Sequence, residues 1–95
     1  MKTKKKNKQE KPDWFHGAWY ETGDIVTNPF SGEFVELTGP ELSMYDFIKG
    51  AEYTINVQFN NEIMHPDTVN LQKDMIKGIN WFRKTNPVAY MTLLD

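Results

Sequence analysis

Ninety-five residues, 39% of them hydrophobic and none of them cysteine, bound one small domain that no disulfide or thiolate metal site can support. The formal charge of −2 hides a segregation: Lys2, Lys4, Lys5, Lys6, Lys8 and Lys11 face only Glu10 in the first dozen residues, and the totals of 11 and 13 then leave five basic and twelve acidic residues from Asp13 onward. No apolar run approaches the roughly 18 residues of a membrane span, and none follows the basic start as a secretory signal would require.

Residues 1–12 carry no apolar side chain after Met1, so nothing there can offset the entropy of ordering. A disordered basic arm is expected over 1–12, attached to a single globular domain over 13–95. The run Trp14-Phe15-His16-Gly17-Ala18-Trp19-Tyr20 holds four rings in seven residues and reads as an irregular lid over the core. Residues 24–37 then read as a hairpin. Asn28-Pro29-Phe30-Ser31-Gly32 supplies the turn, and Val35 and Leu37 fall on one side with Phe34 and Glu36 on the other. Two strands alone are marginal, so the pair must pack on a helix.

Thr38-Gly39-Pro40-Glu41 has capping-box spacing with Pro in the first turn, which opens a helix. Its apolar stripe, Met44, Phe47, Ile48, Ala51, Ile55 and Phe59, crosses Gly50 without a phase slip and favours one helix over about 39–60. The rival is a strand after a break at Gly50, because Tyr53 to Phe59 also alternates apolar and polar. Pro66 and Asp67 open a second helix to about 85, with Leu71, Met75, Gly78, Ile79 and Phe82 buried, and Val69 and Ile76 flanking. Asn86-Pro87 starts a short third helix, 87–94, with Val88, Met91 and Leu94 sharing a face.

Chemistry is sparse. His16 and His65 are the only imidazoles, and no His-x-x-x-His or Glu-x-x-His spacing accompanies them, so no metal is expected. The carboxylate pairs Glu33/Glu36 and Glu21/Asp24 sit on turns and strands where acids are ordinarily solvated. Ser31 and Ser43 lack a nucleophile setting and read as turn and helix-surface residues. The six glycines are scattered, which excludes a phosphate loop. No catalytic constellation and no cofactor follow from this sequence. Lys2, Lys4, Lys5, Lys6, Lys8 and Lys11 could neutralise phosphates without sequence preference, but the acidic body opposes nucleic acid. Trp81 lies about 100° from Phe82 on a helix, so it either caps the core against the lid or stands exposed beside Arg83. If exposed, Trp81 with Tyr45 or Tyr90 is the candidate interface.

Three strings, Asn28-Pro29-Phe30-Ser31-Gly32-Glu33-Phe34-Val35-Glu36-Leu37, Met44-Tyr45-Asp46-Phe47-Ile48 and Trp81-Phe82-Arg83-Lys84 continuing to Asp95, resemble small uncharacterised proteins of tailed bacteriophages, particularly those infecting marine cyanobacteria. The resemblance brings no activity and no functional residues. It implies a setting: a phage product in the bacterial host cytoplasm, or a virion component. The expected fold is α+β and mainly helical: two antiparallel helices plus a short C-terminal helix, packed with a β-hairpin. The expected function is non-enzymatic, an accessory or host-directed module that binds an unidentified phage or host protein. A homodimer is compatible with so aromatic a small domain. The alternative is a nucleic-acid-associated protein that uses the Lys-rich arm.

Overall fold

The structure is a computed structural model that describes residues 9–61 and 66–95. Its elements run β1 (Asp24–Thr27), β2 (Phe34–Leu37), α1 (Gly39–Asn60), α2 (Pro66–Thr85) and α3 (Pro87–Leu93). The fold is α+β and mainly helical, with one antiparallel two-stranded hairpin. The Lys-rich segment through Lys8 and His65 lie outside the described residues.

In the hairpin Ile25 faces Glu36, Val26 faces Val35 and Thr27 faces Phe34. Side chains alternate along a strand. Val26, Val35 and Leu37 therefore turn inward, while Ile25, Thr27, Phe34 and Glu36 meet solvent. The turn closes through Gly32 at φ 80°, a conformation that a Cβ would disfavour. α1 and α3 pack against β2, which leaves β1 as the outer edge. Asp24 blunts that edge, because its carboxylate accepts the Ile25 N–H at 2.7 Å.

α1 begins with a complete capping box. Thr38 Oγ1 accepts the Glu41 N–H at 3.3 Å and Glu41 Oε1 accepts the Thr38 N–H at 3.0 Å. Residues 52–59 are helical, so the strand alternative is overturned; Gly50 is spanned within an unbroken ladder. The antiparallel α1–α2 pair is fixed at two levels. Thr68 Oγ1 donates to Gln58, and farther along Gly78 sits directly against α1. A Cβ at residue 78 would lie 3.1 Å from Met44 Sδ and 3.3 Å from Ile48 Cγ1. The absent side chain sets how closely the two helices approach.

Phe15, Leu37, Met44, Ile48, Phe82, Ala89 and Leu93 form the buried centre. Phe15 stands edge-on to Trp14, Trp19 and Phe47 at centroid distances of 5.9, 5.3 and 5.4 Å. The irregular stretch 14–20 thus closes one side of the core, and Trp81 meets Trp19 edge-on at 5.8 Å.

Three sequence expectations are corrected. Ser43 is buried rather than on the helix surface: its Oγ accepts the Tyr20 N–H at 2.6 Å and donates to Gly39 O at 2.8 Å. The lid crosses α1 there and its backbone needs an acceptor. Phe59 is exposed, because periodicity specifies a side of the helix but not how far its neighbour extends. In α3 the buried pair is Ala89 and Leu93, whereas Val88 and Met91 face solvent. That helix is apolar nearly all round, so its rotation is set by the Asn86 cap, whose Oδ1 accepts the Ala89 N–H at 3.1 Å.

Candidate functional site

The turn of the hairpin is organised by Asn28. Its N–H donates to Glu33 O at 2.7 Å and its carbonyl accepts the Gly32 N–H at 2.8 Å. Its Oδ1 accepts the N–H groups of Phe30 at 2.8 Å and Ser31 at 3.3 Å. Its Nδ2 donates to Thr92 O at 2.9 Å, which ties the turn to α3. Ser31 Oγ also accepts the Glu33 N–H at 3.2 Å, so that serine has a turn role. Every polar atom of Asn28 is thus used to hold a loop whose central side chain, Phe30, is 97% exposed. A ring presented on so constrained a loop loses little further entropy when it docks.

The outer face of the hairpin continues this apolar display, with Ile25 59% and Phe34 69% exposed beside the acid Glu36. Between Pro12 and Ile48 there is no Lys or Arg, while Asp13, Glu21, Asp24, Glu33, Glu36, Glu41 and Asp46 are all acidic. The hairpin therefore lies in a negative field.

On the other flank of α3 lies a cleft of about 150 Å³, lined by Ile48 of α1, Met75 and Ile79 of α2, and Tyr90, Leu93 and Leu94 of α3. Lys49 and Glu52 border it as an ion pair at 3.1 Å. The Arg83 guanidinium lies 5.9 Å from the centroid of the Tyr90 ring and donates to the neutral Asn80 at 2.9 Å. The open space between these walls, roughly 150 Å³, is large enough for a benzene ring, and Lys49 and Glu52 make its rim polar.

The interface residues expected from sequence are each engaged separately and each partly buried: Trp81 on Trp19, Tyr45 tilted on Phe82 at 6.4 Å, and Tyr90 under Arg83. The Phe and Tyr rings that meet solvent are instead Tyr20, Phe30, Phe34, Tyr53 and Phe59. Phe30 was legible in principle, since a ring between Pro29 and Ser31-Gly32 at the centre of a turn cannot reach a core. The cleft was not, because it is assembled from three helices. Of the candidate arm, Lys11 is described and exposed; Gln9, in the same segment, donates to Glu41 Oε2 at 2.8 Å and accepts from Thr38 Oγ1 at 2.5 Å. His16 and the acids Glu21, Asp24, Glu33 and Glu36 are exposed. Among the described residues no group of three His, Asp or Glu side chains is placed to hold a metal ion, and no helix is long and apolar enough to cross a membrane. No family model, curated protein or solved structure matches the chain.

Proposed function

We propose that the protein is a non-enzymatic interaction module that binds another protein through the outer face of its hairpin. One observation carries this: the hairpin exposes Ile25 and Phe34 on one face with Glu36, in a stretch of 37 residues without Lys or Arg. Apolar centres rimmed by charge are the usual anatomy of a binding patch, and the acidic rim selects a partner with a basic border. The likeness to small tailed-phage proteins supports the setting, a bacterial cell carrying phage, in its cytoplasm or in the virion.

Immobilised protein, challenged with extract of infected cells, should retain a polypeptide that Phe34→Glu and Ile25→Glu variants both lose. Retention that is unchanged by both substitutions, or no retained polypeptide, overturns the reading.

A further inference from the structure

The turn that carries Phe30 is tied to α3 at Thr92, and the cleft is lined from the other side of that helix by Tyr90 and Leu94. Residues of an α-helix are 100° apart. Proceeding round α3 from Thr92, where Asn28 attaches the turn, one meets Val88, then Met91, then Leu94 and Tyr90 at the cleft. Val88 and Met91 are 68% and 67% exposed, so beyond Thr92 exposed apolar side chains lead round α3 to the cleft. A knob at one end of such a strip and a hole at the other make it self-complementary. A two-fold axis running along α3 carries the turn of one molecule onto the cleft of a second, and the reverse.

We propose that this strip is a homodimer interface in which Phe30 of each copy enters the α1–α2–α3 cleft of the other. The ring fits a space of that volume. Area agrees with the docking. Two rings at about 150–250 Å² each, two Val88–Met91 strips and the covered cleft walls together reach the order of 1,000 Å² that a specific interface needs. The hairpin's outer face stays free, so the dimer would present two copies of it.

Sedimentation velocity over a low- to high-micromolar series tests this with the full chain, whose protomer mass is 11.1 kDa. The expected result is a concentration-dependent doubling of mass that Phe30→Ala weakens at least tenfold and Phe34→Ala leaves unchanged. Ile79→Trp, which fills the cleft, should weaken it similarly, with far-UV circular dichroism confirming that the variant is folded. Because the chain has no cysteine, a mixture of Ser31→Cys and Glu52→Cys proteins should oxidise to a mixed disulfide in preference to either self-linked dimer. A monomer throughout the series, or a dimer that tolerates Phe30→Ala, overturns the proposal. Since Phe34→Glu addresses the outer face and Phe30→Ala the strip, loss of either reading leaves the other standing.

Discussion

At the scale of single residues, the carboxylate of Glu41 is shared among three parts of the chain. Its Oε1 accepts from Thr38 N–H at 3.0 Å and from Asn86 Nδ2 at 3.1 Å, and its Oε2 accepts from Gln9. Replacing it with Ala removes the capping box and leaves three part-buried donors without their acceptor, so Glu41→Ala should cost about 2 kcal/mol in chemical denaturation. Glu41→Gln, which keeps an acceptor oxygen, should cost less. Tyr20 provides a pH-dependent contact. Its hydroxyl donates to Asp46 Oδ2 at 3.0 Å, and this bond, together with the repulsion a phenolate would meet from Asp46, raises the phenol above its ordinary 10.0. A pKa raised by folding means the contact is intact at pH values below the unfolded value and is lost as pH rises through the folded one. Ultraviolet titration should therefore show a late-ionising tyrosine that Tyr20→Phe removes and Asp46→Asn shifts back towards the ordinary value.

At the scale of elements, two glycines within the α1–α2 pair should respond in opposite directions. Gly50 faces open space in the middle of α1, so Gly50→Ala should add up to about 1 kcal/mol from helix propensity alone. Gly78→Ala gains the same propensity but must displace Met44 and Ile48, both fully enclosed in the core, and should lower stability by about 1 kcal/mol. Thermal and urea unfolding of the two variants check both signs. The contrast also explains what could be read in advance. The capping box at Thr38, the turn at Asn28 and the start of α3 at Asn86 were legible because each is a local arrangement of a few side chains. The α1 stripe was legible because its period survives Gly50. The rotation of α3 and the burial of Ser43 were not, since both depend on which distant segment crosses the helix. The expected interface fails to assemble for a related reason: tertiary packing gives Trp81, Tyr45 and Tyr90 three different partners, Trp19, Phe82 and Arg83.

At the scale of the whole molecule, the charge division set by sequence has a mechanical counterpart at the domain boundary. Gln9 reaches the cap of α1, so the boundary drawn at residue 12 from composition cuts across a hydrogen-bonded contact. Truncation through Gln9 should lower the melting temperature by several degrees relative to truncation through Lys8, since about 1 kcal/mol corresponds to roughly 4–8 °C in a domain of this size. Scanning calorimetry distinguishes the two. The hairpin, the cleft and the lid occupy different flanks of one core, and each can be perturbed by substitutions that spare the others.

The lid has one further consequence. Trp14, Trp19 and Trp81 are the only indoles in the chain, and all three gather at that corner, the last two in edge-to-face contact. Intrinsic emission will therefore report on one small region and say little about the rest. If stretch 14–20 lifts away before the helices melt, emission will redshift at a lower temperature than the amide signal falls, and the protein will seem to have two melting points depending on the colour of light used to watch it.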